Sequence, residues 1–372
     1  MNGTLPLAPR VRGIAMYLPQ FHPVAENDEW WGRGFTEWTN VAGARPIFPG
    51  HYQPHLPGEL GFYDLRLAET RDEQAALARA HGIEAFCYWH YWFAGRRMLE
   101  RVVDDLLASG RPDLSFCLAW ANENWTAWSR RRTRAPRSIL IEQTYPGEVD
   151  HRRHFDTLLP AFSDPRYVRV DGKPLFYVYR PEQIPDLARF ADLWRQLAED
   201  AGLPGLYLVG QTRGGPWDWD PTGSGLDGAV TFDMRPRARR LERDGRRTWD
   251  WMLTALTERL DVVPAVFLYR YWSRDIPFVL APPATSFPSV VPGWDNTSRM
   301  GRQGFILHGA TPELFGEQVA RAVDLLADRP PQKRLLFVRS WNEWAEGNHM
   351  EPDRKWGRGF LEAFRDAVTD AC

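Results

Sequence analysis

The sequence predicts a (β/α)8 TIM barrel with long loops at the C-terminal face of the strands. Eight short apolar segments recur along the 372 residues, and helical segments separate most of them. Most of these segments end abruptly in polar and aromatic residues, at the position where such barrels build their binding loops. The length exceeds that of an ordinary domain but is common for a barrel of this kind. We therefore expect residues 1–372 to form a single domain.

The eight predicted strands are short, apolar and bounded by polar residues, as buried strands are. They comprise residues 13–18, 83–88, 115–120, 175–179, 206–210, 228–232, 289–292 and 334–339. Helices are predicted at residues 66–81, 98–109, 147–162, 184–201, 249–259, 311–327 and 360–368. Gly82 and Gly110 would end the first two helices, and Thr311 with Pro312 would begin the sixth.

A doubly wound open sheet is the alternative fold, and it would require a phosphate-binding loop at a strand–helix junction. Residues 223–228 fit the GxGxxG pattern, but they precede a strand and begin no helix. The sequence contains no GxxxxGK[ST] motif either. These observations favour the barrel.

Composition and charge exclude several classes of partner. The formal net charge is −2 without a basic or acidic block, which argues against nucleic acid or an anionic membrane surface. The three cysteines, Cys87, Cys117 and Cys372, form no disulfide framework. The N-terminus has neither the charged region nor the apolar stretch of a signal peptide, and no segment is apolar enough to span a membrane. We therefore expect a cytoplasmic setting.

The most informative stretch is residues 341–352, directly after the last predicted strand. Indole rings stack on the C–H faces of sugars, and carboxylates carry out proton transfer at glycosidic bonds. No core requires this mixture of side chains, so the stretch indicates a saccharide site. Its candidate site residues are Trp341, Asn342, Glu343, Trp344, Glu346, His349 and Glu351.

Other strand ends, and the irregular segment 24–65, carry similar polar and aromatic residues. An irregular segment of that length inside a domain is usually functional. We expect these residues to line sugar subsites together with the 341–352 stretch. They are Tyr17, Gln20, His22, Trp38, Trp89, His90, Trp92, Asn122, Glu123, Trp125 and Asp233. Glu123 also competes for a catalytic role, because glycosidases commonly place their two carboxylates on different strands.

A metal-dependent mechanism is not indicated by the histidine spacing. His22, His51, His55, His90 and His349 lie near the predicted site loops, but none forms HExxH or a zinc-like pair. No GxSxG elbow is present, which argues against a serine hydrolase. We expect neither a metal nor an organic cofactor.

The chain resembles the WbsX-like proteins of bacterial polysaccharide gene clusters, which take part in lipopolysaccharide biosynthesis. These proteins are in turn similar to family 99 of the glycoside hydrolases, the endo-α-mannosidases and mannanases. The resemblance is carried by residues 17–22, 31–38, 88–93, 119–125 and 341–352. It implies a (β/α)8 barrel. It also implies a hydrolase acting, with retention, on an α-linked surface polysaccharide of manno-configured or related sugars.

The resemblance also implies a mechanism. In the mannosidase family, the glutamate matching Glu343 takes the proton of the substrate's 2-hydroxyl, whose oxygen attacks the anomeric carbon to give a 1,2-anhydro sugar. The glutamate matching Glu346 is the general acid and afterwards the base that activates water. Ala345 departs from that family's motif, where a larger polar residue is usual, so the sugar itself is not fixed by the resemblance.

Two other function classes remain open. A glycosyltransferase would use a nucleotide-linked or lipid-linked donor, and the sequence offers one Asp-x-Asp match, Asp218-Trp219-Asp220. A non-catalytic glycan-binding protein would suit the aromatic loops but would leave two adjacent carboxylates without a role.

Overall fold

The computed structural model describes residues 9–127, 138–212, 221–232, 264–275 and 284–369. Nine parallel strands form a nearly closed barrel with helices around it, which confirms the predicted fold class. The strands are β1 (Arg12–Tyr17), β2 (Ile83–Phe93), β3 (Ser115–Trp120), β4 (Lys173–Val178), β5 (Tyr207–Thr212), β6 (Gly228–Thr231), β7 (Ser286–Phe287), β8 (Ser289–Val290) and β9 (Leu335–Val338).

Nine strands correspond to eight positions around the barrel, because β7 and β8 are two parts of one segment. Neighbouring strands follow the order β7-β6-β5-β4-β3-β2-β1-β9-β8. Pro288 separates β7 from β8, and proline has no N–H to donate to a strand ladder. The residues before Pro288 pair with β6 and those after it pair with β9, so this segment closes the ring.

Helices follow most strands, and the longer ones bury an apolar face against the barrel. They are α1 (Ala25–Trp31), α2 (Glu37–Ala42), α3 (Ala68–Ala80), α4 (Arg101–Ser109), α5 (Glu148–Ser163), α6 (Leu187–Asp200), α7 (Tyr269–Asp275), α8 (Thr297–Met300), α9 (Pro312–Leu326) and α10 (Gly359–Val368). The predicted cap of α9 is confirmed, since the Thr311 hydroxyl accepts from the Leu314 N–H. Phe315, Val319 and Ala322 then form its buried stripe at helical spacing.

The core lies inside the barrel and between the strands and helices. Cys87 and Cys117 face each other across β2 and β3 as buried free thiols, where they behave as small apolar side chains. Gly13 permits α10 to pack closely against β1, because a Cβ there would lie 2.9 Å from the Phe364 ring. No helix among the described residues combines the length and apolar character needed to cross a bilayer.

The structure corrects several boundaries. Strand β2 runs to Phe93 rather than ending at residue 88, because the short strand Arg96–Met98 turns back and pairs with its end. The segment 24–65 is not irregular throughout, since it contains α1 and α2. Pro160 lies within α5 without ending it. The predicted helix at residues 249–259 lies outside the described residues.

Candidate functional site: a carboxylate-lined cavity at the strand ends

A cavity of about 940 Å³ opens at the C-terminal ends of the barrel strands. Four carboxylates, three guanidinium groups and several aromatic rings line it. These residues are Glu37, Glu123, Glu343, Glu346, Arg180, Arg299, Arg339, Trp89, Tyr91, Phe93, Trp125, Tyr179, Phe232, Trp294 and Phe305. Such a mixture of charged groups and flat apolar faces suits a polar ligand with C–H faces, as the sequence predicts.

The chain beyond β9 is folded so that Glu343 and Glu346 both reach this cavity. Residues Asn342–Glu343 pair with Asn348–His349 in a small antiparallel ladder, and a 3₁₀ turn, Trp344–Glu346, joins them. Gly347 follows with φ of 57°, and a Cβ there would lie 2.9 Å from Asp295. Only glycine meets both conditions without strain.

Asn342 anchors this turn to the first strand. Its side-chain oxygen accepts from the Leu18 N–H at 2.7 Å, and its amide donates to the Leu18 carbonyl at 3.0 Å. Asn342 was expected to bind substrate, but both ends of its side chain are occupied by the backbone after β1. It is fully buried and lies outside the cavity lining. Its place in the structure is that of a clamp beside Glu343.

One buried arginine joins the two candidate catalytic carboxylates. Arg299 of α8 donates from Nη2 to Glu343 Oε1 at 2.5 Å and from Nη1 to Glu346 Oε1 at 2.9 Å. Its Nε and Nη2 also contact Glu37 Oε2, at 3.1 and 2.9 Å. Three carboxylates therefore share one guanidinium, which its planar array of five N–H donors permits.

The charge balance of this cluster favours protonation of a carboxyl group. The pKa of Glu343 is raised to about 8, chiefly by burial and also by the neighbouring Glu346 and Glu37, while Arg299 opposes the shift. Burial likewise raises the pKa of Glu346, again against the guanidinium of Arg299. Both carboxyl groups of the pair therefore have raised pKa values. A buried carboxylate pair of this kind titrates as a unit.

Aromatic rings from β2 and from the chain after β3 form another part of the lining. Tyr91 and Trp125 stack with centroids 5.1 Å apart and an interplanar angle of 19°. Glu123, the rival catalytic residue, lies in the same cavity but is paired with Arg180 at 2.8 Å. Its side chain is 41% exposed, whereas those of Glu343 and Glu346 are 11% and 17% exposed. Glu123 is therefore the most solvent-exposed of the three carboxylates.

Only some of the described candidates line the cavity: Gln20, Trp89, Glu123, Trp125, Glu343 and Glu346. Asp233 lies outside the described residues. The other candidates are buried behind the lining or line a different cavity, although all were expected to contact the substrate. They are Tyr17, His22, Trp38, His90, Trp92, Asn122, Trp341, Asn342, Trp344, His349 and Glu351, of which Asn342 is the clamp just described.

Glu351 is the centre of a buried hydrogen-bond network behind the site. Its Oε2 accepts from Trp344 Nε1 at 2.6 Å and from the Tyr63 hydroxyl at 2.8 Å. Its Oε1 accepts from Gln74 Nε2 at 2.6 Å, and Gln74 accepts in turn from the Tyr17 hydroxyl. Burial raises the pKa of Glu351 to about 7. Protein donors occupy both oxygens, so Glu351 supports the 341–352 stretch from behind.

The remaining candidates are also held by protein groups or enclosed in the core. His90 shares a hydrogen bond with His154 of α5 at 2.8 Å, and Trp92 stacks on that same ring. Trp38 donates to the Tyr63 carbonyl, and Asn122 bridges to the backbone of Arg180. His22 and Trp341 are enclosed in the core. His349 lines a second cavity.

Sequence reasoning missed two groups that organise the site. Glu37 lies in the segment 24–65 that the sequence marked as functional, yet only its neighbour Trp38 was selected. Arg299 follows Trp294-Asp295-Asn296, a polar and aromatic cluster after the seventh predicted strand, and this cluster was the available signal. The described residues that line the cavity include no histidine or cysteine, and Arg299 and Arg180 already hold the carboxylates named above. These residues offer no evident metal-binding set.

Comparison with known proteins places the chain in a family. The model of a family described as "Glycosyltransferase WbsX" matches residues 13–364. The uncharacterized protein WxcX of Xanthomonas campestris pv. campestris (strain B100) is 39% identical over 365 residues, which cover 96% of this chain and 50% of the relative. A second strain of that organism has a relative with the same identity and coverage. The chain thus spans half the length of the curated relatives that it matches.

Solved structures share the fold at low sequence identity. A glycoside hydrolase-like protein has a TM-score of 0.60 and 15% identity, covering 100% of this chain and 98% of that one. The GH99 endo-alpha-mannosidase from Bacteroides thetaiotaomicron has a TM-score of 0.56 and 16% identity, covering 96% of each chain. These likenesses establish a common barrel. The motif resemblance is confirmed by the sequence comparisons: the chain belongs to the family described as glycosyltransferase WbsX.

Proposed function

We propose that this protein is a retaining glycoside hydrolase acting on an α-linked bacterial surface polysaccharide of manno-configured or related sugars. The observation that carries the proposal is the pair Glu343 and Glu346, which share one cavity and one buried guanidinium. Two carboxyl groups with raised pKa values are what acid–base chemistry at a glycosidic bond needs near neutral pH. The cavity volume of about 940 Å³ also accommodates more than one sugar ring.

Glu346 acts as the general acid and Glu343 as the general base in this proposal. Glu346 gives its proton to the glycosidic oxygen as the bond to the anomeric carbon breaks. Glu343 takes the proton of the 2-hydroxyl, and the 2-oxygen forms a bond to the anomeric carbon. The 1,2-anhydro sugar is then opened by water, whose proton goes to Glu346, while Glu343 returns its proton to the 2-oxygen. Two inversions at the anomeric carbon give net retention.

Two features of the site support these roles. The turn Trp344–Glu346 brings both carboxylates to the cavity from one strand end, so neither needs to lie across the sugar ring as an opposing nucleophile. A hydroxyl of the substrate replaces that nucleophile. Arg299 holds both carboxylates within hydrogen-bond distance, which fixes their orientation before substrate arrives.

The test compares a matched set of substrates and variants. Wild type should release product from an α-mannoside, whereas the 2-deoxy analogue should bind without turnover. A 2-fluoro analogue should leave no sugar attached to the protein in intact mass spectrometry. Glu343→Gln and Glu346→Gln should each reduce kcat by at least about 100-fold, as expected for loss of a positioned acid or base. Glu123→Gln is the control and should keep most of the activity.

Three results would contradict the proposal. A covalent sugar on Glu343 would make that residue an ordinary nucleophile. Turnover of the 2-deoxy substrate would remove the role of the 2-hydroxyl. Full activity in Glu343→Gln, together with inactive Glu123→Gln, would move the chemistry to Glu123, which lies in the same cavity.

The second candidate is a glycosyltransferase, which the description of the matched family favours. A transferase would bind a sugar nucleotide or a lipid-linked sugar. The Asp218-Trp219-Asp220 match that would suit such a donor lies outside the described residues. Incubation with surface polysaccharides, with and without sugar nucleotides, separates the two functions. Products that appear only when the nucleotide is present, with release of a nucleoside diphosphate, would establish transfer.

A further inference from the structure

A second cavity, of about 280 Å³, lies beside the first and shares Trp294 with it. It lies between the segment before α3 and the chain after β9. We propose that His55, His349 and Asp353 in this cavity bind a divalent metal ion of the Zn²⁺ class. One atom from each side chain lies within 4.8 Å of the other two. Two imidazole nitrogens and one carboxylate oxygen are a common ligand set for zinc.

His349 is oriented as a metal-binding histidine. Its Nδ1 lies 3.2 Å from the Glu351 carbonyl, which fixes Nδ1 as the protonated nitrogen. Nε2 therefore carries the lone pair, and it lies 3.9 Å from Asp353 Oδ2. A backbone carbonyl that holds the distal nitrogen is the usual support for a histidine ligand. The ring also stacks on Trp344, with centroids 3.7 Å apart, which limits its rotation.

Asp353 and His55 each retain an atom that could bind the metal ion. Oδ1 of Asp353 accepts from the backbone N–H groups of Lys355 and Trp356, at 2.9 and 2.5 Å. These bonds fix the carboxylate and leave Oδ2 towards His349. The buried Nδ1 of His55 has no hydrogen-bond partner among the described residues, although a buried polar atom is rarely left unpaired. The two imidazole rings meet edge to face at 5.7 Å.

Neighbouring charges permit a cation here. Lys355 is the nearby positive group, and its Nζ is held over the Tyr52 and Trp356 rings at 4.5 and 4.8 Å. Asp295 also lines the cavity, and its bonds from His51 and Gln53 leave its negative charge in place. The two carboxylates exceed the single lysine by one negative charge, so a divalent ion would be attracted.

Metal binding requires a small contraction of the site. Zinc–ligand distances of about 2.0–2.2 Å in tetrahedral geometry place the donors about 3.3–3.5 Å apart. The three atoms, now within 4.8 Å of each other, would draw together by up to about 1.4 Å, chiefly through rotation of the His55 side chain. The ion would then reinforce the backbone pairing that already joins the segment carrying His55 to the turn carrying Asp353. Its role would be to fix two loops that flank the carboxylate cavity.

The experiment measures metal binding directly, on the full chain. Protein is stripped with a chelator, and Zn²⁺ binding is followed by isothermal titration and by metal analysis after gel filtration. We expect one Zn²⁺ per chain and a rise in Tm when zinc is added, because a ligand that binds only the folded state stabilises it. His55→Ala, His349→Ala and Asp353→Asn should each weaken binding by at least about 10-fold.

Two controls keep the outcome interpretable. His308→Ala removes a histidine that lines the same cavity but does not belong to the three-residue set, and it should bind zinc as wild type does. Asp353→Asn can keep the Oδ1 contacts to the backbone, so loss of binding there cannot be attributed to loss of the turn. Absence of binding to wild type would overturn the proposal. So would retained binding in the three variants, or equal loss in His308→Ala.

Discussion

Replacing Arg299 with methionine tests whether this guanidinium organises the carboxylate cluster. The substitution keeps an unbranched side chain but removes the one cation that contacts Glu37, Glu343 and Glu346 together. Removing one partner of a buried ionic network typically costs about 3–5 kcal/mol, because the remaining charges lose their compensation. We expect a loss of that size in the free energy of unfolding near pH 8.

The stability lost in Arg299→Met should be larger at pH 8 than at pH 5. Burial already raises the pKa of Glu343 to about 8, and Arg299 opposes that rise. Without the cation, the folded-state pKa values of Glu343 and Glu346 move still further above the unfolded values. A group of this kind contributes stability that is present below its unfolded pKa and is lost as pH rises through its folded pKa. The variant should therefore be much closer to wild type near pH 5 than near pH 8.

Urea unfolding, monitored by tryptophan fluorescence at pH 5 and pH 8, measures the loss of stability and its dependence on pH. The chain has 18 tryptophans, and Trp344 lies within the turn that carries both glutamates. Arg358→Met is the matched control, because its ion pair with Glu59 is about half exposed on both sides. Its effect on stability should be small and similar at both pH values, because an exposed ion pair contributes little. A loss below about 1 kcal/mol in Arg299→Met, or a larger loss at pH 5 than at pH 8, would refute the reasoning.

Further predictions concern the acid, the rival carboxylate and the buried network. Glu346→Gln should lose most activity on a natural glycoside but less on a substrate with a good leaving group, whereas equal loss would count against its role as acid. Glu123→Gln should raise KM more than it lowers kcat, and an unchanged KM would argue against a subsite role. Glu351→Gln should reduce the fall in stability between about pH 4.5 and 7, because the raised pKa of Glu351 causes that fall. An unchanged pH slope would contradict this assignment.

The fold could be predicted from sequence because its signals are local. Each barrel strand is an apolar run bounded by polar residues, and the caps at Gly110 and Thr311 depend on neighbours a few positions away. The turn after β9 could be located in the same way, since two glutamates and two tryptophans within six positions are a local pattern. The end of β2 was predicted too early, because residues 91–93 pair with Arg96–Met98 in a hairpin that the apolar run did not reveal.

Only part of the aromatic cluster at the end of β2 lines the cavity, because side chains alternate along a strand. Successive side chains of a strand point to opposite faces. Trp89, Tyr91 and Phe93 line the cavity, whereas His90 and Trp92 point to α5 and meet His154. Because the strand was predicted to end at residue 88, residues 89–93 were interpreted as an aromatic cluster beyond its end, and this alternation was not considered. A strand extended to residue 93 would have separated the two faces correctly.

Arg299 could not have been paired with its partners from sequence alone. It contacts Glu37 across 262 positions of the chain and Glu343 across 44. Barrel closure brings these segments together, and no periodicity or spacing encodes that contact. The same holds for Glu351, whose partners Tyr63 and Gln74 come from the chain before and within α3. Residues that look alike in a motif thus divide into cavity lining and buried support only once the tertiary contacts are known.

The proposed chemistry requires a single proton to be on Glu346 while Glu343 is ionised. Burial favours the neutral form of both, so contacts to the ionised form decide between them. In the free enzyme, the pKa of Glu343 is raised to about 8 even though Arg299 donates to it at 2.5 Å. A sugar 2-hydroxyl would add a further donor to Glu343 and so favour its ionised form. Substrate binding would thereby move the shared proton to Glu346.

Different pH profiles are therefore expected for the free and the substrate-bound enzyme. The alkaline limb of kcat/KM should report loss of the pair's proton in the free enzyme, near pH 8. A bound sugar displaces water from the cavity and so raises the energy of the doubly ionised pair. The alkaline limb of kcat should therefore lie at higher pH than that of kcat/KM. Coincident limbs would mean that substrate leaves the proton where it was, and the division of roles between Glu343 and Glu346 would lose its physical basis.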